Sequence, residues 1–259
     1  MDIHRSYFYY EEKKDDTAVE EAIREASKFG DGFWKIYELI RKSGNNWNHK
    51  KIYRVYKNMH YEKRVKLKKR LPARVKNSLE TPYSPNVTWS IDFVSDTVEY
   101  GRKFRVLNIL DDCDRSAVAQ EVSMSMPAER VVKILEKVIW LNGKPQNIRC
   151  DNGPEFISKI FVNWCTGNDI NILYTQPGCP TQNSYIERFN GSYRRAVLDA
   201  YIFRDIAEVR DLTEKWMDYY NNERPHESLD NMSPIEYRNA LCDLRLQPLG
   251  QTPRSLSYV

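Results

Sequence analysis

From residue 87 onward the sequence alternates between strand-like and helix-like periodicity, and the order of these segments most constrains the fold. Three β-rich runs come first, helix and strand patterns then alternate, and two long helical segments follow. Consecutive strands joined by short turns pair as an antiparallel meander, whereas strand–helix–strand units add parallel strands. The order therefore predicts an α/β fold, a mixed five-stranded sheet flanked by helices.

The segment boundaries follow from the periodicity and from turn residues. Alternating Trp89, Ile91 and Phe93 predict the first strand, and Glu99-Tyr-Gly-Arg102 predicts the hairpin turn after it. Strands are predicted at 87–96, 103–110, 117–123, 146–150 and 170–174, and helices at 127–141, 154–166, 181–203 and 205–222.

Residues 1–60 show a different pattern, in which short helices are predicted at 17–29, 33–42 and 48–59. The turn between the second and third contains Gly44, and the third helix is basic on one face and apolar on the other. This arrangement is typical of a helix-turn-helix that binds DNA, and a small bundle with a solvated basic face is the alternative. The candidate DNA-binding residues on the third helix are His49, Lys50, Lys51 and Arg54.

The net charge of +4 conceals one strongly basic segment. Residues 41–76 contain fourteen Lys and Arg against a single acid, Glu62, so this segment alone carries +13. Its second part, residues 63–76, is too basic to pack and favours binding along nucleic-acid phosphates, with candidates at Lys66, Lys68, Lys69 and Arg70. The predicted domain order is a helical domain at 1–60, a basic linker at 61–86, a core at 87–241 and a C-terminal tail at 242–259.

The composition excludes several classes of protein. A hydrophobic content of 41% and an aromatic content of 12% are too high for a disordered chain. No apolar run approaches the roughly 18 residues of a membrane helix, and the first residues lack the apolar stretch of a signal peptide. The cysteines and histidines are scattered without the spacing of zinc ligands. We expect a cytoplasmic protein with no membrane partner.

Three carboxylates are candidates for metal-dependent chemistry on nucleic acid, which needs several acids aimed at one point. Asp92 lies in an apolar strand, where an ionised side chain is costly unless it is paired or binds a metal. Alternation alone also allows Asp92 to face solvent. Asp151 follows the fourth strand, at the sheet edge where ligands gather, but it could equally form an Asx-turn that caps the next helix.

Glu187 lies on the helix predicted at 181–203. Asn183, Asn190 and Arg194 lie at −4, +3 and +7 from it, so these polar residues share one stripe beside an apolar face. A site helix has this pattern, and so does any amphipathic surface helix.

Taken together, the motifs around these carboxylates are specific. The chain resembles the integrase-core DDE family, most closely the OrfB-type transposases of bacterial insertion sequences, over roughly residues 7–241. The matching motifs are Trp89–Phe93, Asp151–Phe156, Gln176–Gly191, Tyr219–His226 with Ser233-Pro234, and the helix-turn-helix segment Asn48–Arg54.

The resemblance implies an RNase H-like fold in which Asp92, Asp151 and Glu187 form a catalytic triad that binds two Mg²⁺ ions, with Mn²⁺ as a substitute. It implies cleavage and strand transfer of DNA without a covalent protein–DNA intermediate. It further implies that Arg194 contacts a DNA phosphate and that Gln182, Asn183 and Asn190 support the metal ligands or contact DNA.

The resemblance also implies the partners: double-stranded DNA at the element ends and the target, and a homo-oligomer that holds two ends together. In this family an upstream reading frame often supplies a further unit, so a protein partner or a fusion is expected, and so is association with the bacterial nucleoid. Two alternatives remain at this point, a non-catalytic DNA-binding regulator of transposition and a simple metal-dependent nuclease.

Overall fold

The computed structural model describes residues 15–61, 81–176 and 180–246. The chain divides into two compact units, Met1–Lys68 and Lys69–Val259, and each is described by itself. The predicted phosphate-binding residues of the linker and most of the predicted tail lie outside the described ranges. Within those ranges, no helix has both the length and the apolar character needed to cross a membrane.

The first unit contains three helices, α1 (Thr17–Ala26), α2 (Phe33–Lys42) and α3 (His49–Asn58). Each turns its apolar stripe inward, so that isoleucine and valine side chains of all three form one buried cluster with Tyr56. Helix α1 ends three residues earlier than predicted, because the chain turns at Gly30, whose φ of +61° is left-handed. The three predicted helices are confirmed.

The second unit is built on a sheet of five strands in the order β3-β2-β1-β4-β5. Strands β1, β2 and β3 pair antiparallel, whereas β4 pairs parallel to both β1 and β5. This confirms the predicted mixed sheet. The strands are β1 (Thr88–Thr97), β2 (Lys103–Asp111), β3 (Ala117–Ser123), β4 (Asn147–Cys150) and β5 (Asn171–Tyr174).

The pairing of β1 with β4 is short and ends before either candidate aspartate. Its last paired residues are Ser90 and Arg149. Asp92 inside β1 and Asp151 just after β4 each follow two residues later, on the carboxyl side of this paired segment, where such sheets place their ligands.

Helices cover both faces of the sheet. On one face, α4 (Ala128–Asn142) and α5 (Lys159–Gly167) pack on a core that contains Trp89 and Ile109. On the other, α6 (Ser184–Tyr193) contacts β1 and β2, and α7 (Ile206–Asn222) contacts β3. The rings of α6 and α7 pack edge to face, as Phe189 does against Trp216 at 5.2 Å.

In the second unit, three helical segments differ from the sequence prediction. Helix α5 begins at Lys159 rather than near Pro154, because residues after Asp151 form turns and Ser158 caps the helix. The helix predicted at 181–203 is divided into a 3-10 turn (Pro180–Asn183), α6 and a π-helical turn (Arg194–Leu198). Helix α8 (Pro234–Leu246) was not predicted, and it continues past residue 241, where the predicted core ended.

Candidate active site

Asp92 is half-buried in β1 and has two defined hydrogen-bond donors. Its Oδ1 accepts from the backbone N–H of Phe93 at 2.7 Å, and its Oδ2 accepts from the side-chain amide of Asn190 at 2.8 Å. The second bond connects α6 to the centre of the sheet. Asp92 therefore does not face open solvent.

A chain of amides sets the orientation of Asn190. Gln120 donates to the side-chain oxygen of Asn108 at 2.9 Å, and Asn108 donates to that of Asn190 at 2.7 Å. Because the oxygen of Asn190 is occupied, its NH₂ group points at Asp92. Asn108 and Gln120 were missed at the sequence level, although the sheet register places Asp92, Asn108 and Gln120 side by side on β1, β2 and β3.

The charges of two candidate carboxylates act on the third, Asp92. Burial raises the pKa of Asp92 to about 6, with the negative charges of Asp151 and Glu187 acting in the same direction. The hydrogen bonds from Phe93 and Asn190 oppose this rise, since they favour the ionised form. The fold thus places Asp151 and Glu187 within electrostatic reach of Asp92.

Asp151 is exposed immediately after β4. Its Oδ1 accepts from the backbone N–H of Gly153 at 3.0 Å, so it does form an Asx-turn. It does not cap the next helix, because that position belongs to Ser158, whose Oγ accepts from the N–H of Phe161 at 3.2 Å. The turn fixes the direction of Asp151 and leaves its second oxygen for a ligand.

Glu187 lies in the first turn of α6, on the side that also carries Asn190. Burial raises the pKa of Glu187, although its side chain remains largely exposed. Farther along the stripe, Arg194 donates to the backbone oxygen of Ser95 at 2.8 Å and pairs with Asp96 at 3.3 Å. The guanidinium of Arg194 therefore holds the end of α6 against β1.

The donor set fits a hard divalent cation. Carboxylate oxygens are the ligands that Mg²⁺ prefers, and three mutually repelling acids gain from a cation among them. Among the described residues, no three His, Cys, Asp or Glu side chains already converge as closely as a bound metal ion requires. Binding of a cation would therefore draw the three carboxylates closer together.

The other predicted site residues have the following positions. Asn183 is buried before α6, and the side-chain oxygen of Gln182 accepts from the N–H of Gln176 at 2.8 Å. In the first unit, His49 and Lys50 are exposed at the start of α3. Lys51 and Arg54 are turned toward Asp16, at 3.9 and 2.8 Å. The structure does not describe Lys66, Lys68, Lys69 and Arg70.

A second acidic cluster, which sequence reasoning missed, follows β2. Asp111, Asp112 and Asp114 are fully buried. Asp112 accepts from Ser90 at 2.6 Å and pairs with Arg149, while Asp114 and Asp111 both face Arg238 of α8. We call these three residues and their two arginines the buried acid cluster.

Known protein families match most of this second unit. The integrase core domain family matches residues 82–180, and a second integrase core domain family matches residues 168–234. The first match contains Asp92 and Asp151, and the second contains Glu187.

Two relatives come from bacterial insertion elements. The chain is 32% identical over 241 residues to the 31.7 kDa protein of insertion element IS407 from Burkholderia multivorans, which covers 91% of this chain and 86% of that protein. It is 35% identical over 206 residues to the 39.2 kDa protein of insertion element IS476 from Xanthomonas euvesicatoria. That match covers 80% of this chain and spans only 60% of the Xanthomonas protein.

A solved structure resembles the chain over most of its length. It is that of the simian T-cell lymphotropic virus intasome in complex with PP2A regulatory subunit B56 gamma, with a TM-score of 0.56. The likeness covers 92% of this chain and 80% of that chain at 16% identity. At this identity the likeness is evidence for the fold alone, and it confirms the RNase H-like core predicted from the sequence.

Proposed function

The chain belongs to the integrase-core family of DDE transposases, and on this premise we propose that it cleaves the DNA ends of an insertion sequence and joins them to a target. The observation that supports this most is that Asp151 and Glu187, from two other elements, lie close enough to Asp92 in β1 for their charges to act on it. Three acids within electrostatic reach of one another through Asp92, without a basic partner in the described ranges, are suited to binding cations.

We assign the metal to these three carboxylates as two Mg²⁺ ions, with Mn²⁺ as a substitute. When bound, such ions activate the attacking oxygen and stabilise the leaving 3′ oxygen of the DNA strand. The protein contributes orientation. Asn190 and the N–H of Phe93 hold both oxygens of Asp92 in place, and the turn at Gly153 aims Asp151.

The first unit supplies DNA binding in this proposal. His49 and Lys50 are exposed at the start of α3, together with the ring of Tyr53. The basic linker residues Lys66, Lys68, Lys69 and Arg70 would follow the phosphates. Replacing these four by Gln should flatten the plot of log affinity against log salt by about 0.9 for each phosphate that they neutralise. An unchanged slope would place the DNA path elsewhere.

Partners follow from the reaction. Joining two element ends requires that two DNA ends be held together, which a homo-oligomer in the synaptic complex would accomplish. A protein partner from an upstream frame, or a fusion with it, is part of the same proposal, as is action on DNA in the bacterial nucleoid.

The decisive experiment incubates the protein with labelled DNA of the element ends, an unlabelled target and Mg²⁺ or Mn²⁺. Joined products are the expected result. Cleavage without joining would indicate a simple nuclease, and binding without cleavage would indicate a DNA-binding regulator. The Asp92→Asn protein, purified in the same way, controls for a contaminating nuclease, and Asp211→Asn on the exposed face of α7 controls for the removal of an acid as such.

A further inference from the structure

The loop that carries Asp151 is attached to the strand that carries Asp92 through a pair of stacked rings. Phe156 is fully buried, and its ring stacks on Phe93 with centroids 5.0 Å apart and planes 13° from parallel. Phe93 directly follows Asp92 in β1. A shift of the loop would therefore disturb an aromatic contact made by the residue beside Asp92.

Arg105 of β2 contacts both sides of this attachment. Its guanidinium carbon lies 3.9 Å from the centre of the Phe93 ring, and its Nη1 pairs with Glu155. Arg105 is registered opposite Ser95, so it is a diagonal neighbour of Phe93 on the sheet. The side chains of Arg105 and Glu155 are 32% and 15% exposed, which places the pair where solvent screens it only in part.

The loop itself is tight around Gly153. A Cβ at this position would lie 3.0 Å from Oδ1 of Asp151, 3.5 Å from Oε2 of Glu155 and 3.5 Å from the ring of Phe156. The two carboxylates and the ring thus surround one glycine. Because they share this small space, the position of Glu155 is coupled to that of Asp151.

Of the two acids of the loop, Glu155 and Asp151, Arg105 pairs with Glu155. Burial opposes the ionisation of Glu155, but the hydrogen bond and the charge of Arg105 outweigh it and hold the pKa of Glu155 below its ordinary value. Glu155 is therefore ionised and paired at neutral pH. Asp151 has no basic partner among the described residues.

We infer that Arg105 is a positioning residue: by binding Glu155 and covering Phe93, it fixes the Asp151 loop against β1. This inference rests on the proposed function, since it assumes that Asp92 and Asp151 bind the same metal ions. Its consequence is that Arg105, which is not a ligand, controls the affinity for divalent cations.

The direction in which the Mn²⁺ affinity changes when Arg105 is replaced distinguishes a positioning role from a purely electrostatic one. Removing a positive charge near an acidic site strengthens cation binding if Arg105 acts only through its field. If Arg105 positions the loop, Arg105→Gln should instead weaken Mn²⁺ binding by about 10- to 100-fold, the usual cost of removing a partner behind the ligands. Lys103→Gln, which removes an exposed charge from the same strand, is the matched control and should not weaken binding.

The experiment measures Mn²⁺ binding by calorimetry on the full chain without DNA, for wild type, Arg105→Gln, Lys103→Gln and the exchanged pair Arg105→Glu with Glu155→Arg. The exchanged pair restores the contact with reversed charges, so it should bind more tightly than Arg105→Gln. Binding by Arg105→Gln that equals or exceeds that of wild type would overturn the inference.

Two further measurements distinguish failure of the proposed metal site from failure of the proposed role of Arg105. Asp92→Asn tests the proposed function, because wild type that binds Mn²⁺ no better than this variant refutes the metal site itself. Hydrogen exchange on the metal-free protein tests the loop independently. The amides of Phe156 and Ile157, which bond to the oxygen of Gly153 at 3.0 and 3.1 Å, should exchange faster in Arg105→Gln. Unchanged exchange would show that Arg105 does not hold the loop.

Discussion

Two groups of carboxylates lie along the central strands of the sheet, and their surroundings are opposite. In the buried acid cluster, Asp112 is paired with Arg149, and Asp111 and Asp114 are paired with Arg238. In the candidate active site, the donors to Asp92 are a backbone N–H and an amide. Within the described ranges, none of the three site carboxylates forms an ion pair with Lys, Arg or His.

The difference teaches that burial alone does not identify a functional acid. Burial raises the pKa of both Asp92 and Asp111 to about 6. What separates them is the source of positive charge: Arg238 pairs with Asp111, whereas no Lys, Arg or His of the described ranges pairs with Asp92. A partly buried acid with other acids nearby and no basic partner is thus a better candidate for binding a ligand than a buried acid paired with an arginine.

The largest expected effect separates activity from stability. Asp92→Asn should lower DNA cleavage by about 10³-fold or more, since a metal site supplies several kcal/mol of transition-state stabilisation. The same variant should unfold at an equal or higher temperature, because it removes a repelled charge. Cleavage rates and thermal unfolding measured on one preparation check this, and DNA affinity close to that of wild type is required.

In the buried acid cluster we expect the opposite result, a loss of stability. Arg238→Met leaves Asp111 and Asp114 buried without their cation, and it should destabilise the protein by about 3–5 kcal/mol in urea unfolding. Lys215→Met breaks the exposed pair with Asp211 and should cost no more than about 1 kcal/mol. If the two variants unfold at the same urea concentration, Arg238 does not compensate the buried acids.

A smaller effect tests where added cations bind. Mg²⁺ at about 100 times its dissociation constant should stabilise wild type by about 2.7 kcal/mol, because it binds only the folded state. Thermal unfolding with and without Mg²⁺ should show this shift in wild type and in Lys215→Met. Asp92→Asn should lack it, and a full shift in that variant would place the cation at another site.

The last effect concerns pH. The pKa of Asp92 is raised from 3.8 to about 6, so between these values the folded state binds a proton that the unfolded state has released. Stability contributed by the protonated form is therefore lost as pH rises from about 4 to about 6. The free energy of unfolding of Asp92→Asn should therefore increase relative to that of wild type as pH rises over this interval. Carbon-13 NMR of the Asp92 carboxyl should show a midpoint near 6 that Mg²⁺ lowers, and a midpoint that Mg²⁺ leaves unchanged would contradict the assignment.

The sequence was sufficient for those parts of the molecule that depend on local pattern. Alternating and helical periodicities predicted all five strands and most helices. The positions of the three acids made them candidates and left each open to another interpretation, and the resemblance of the surrounding motifs to the integrase-core family joined them as one set. The sheet register was not predicted, so the amides of Asn108 and Gln120 behind Asn190 were missed.

Interactions between distant segments explain the remaining failures. Arg238 bonds to Asp114, 124 residues away in the sequence, and a local sequence pattern cannot predict such a pair. The π-helical turn after Tyr193 arises because the N–H of Asp199 bonds to the oxygen of Arg194, five residues back, while the side chain of Arg194 is held by β1. The late start of α5 reflects the packing of Phe156, which holds the preceding residues in turns.

If the three carboxylates act as proposed, their distribution over β1, the loop after β4 and α6 also sets when during synthesis the chain can first cut DNA. A ribosome releases residues from the N-terminus onward, and structure forms in that order. Asp92 and its hairpin with β2 can form early, but Glu187 emerges only after the whole sheet has been made. An interrupted or still growing chain therefore holds an incomplete set of acids, and under the proposed function it would not cut DNA until translation has passed α6.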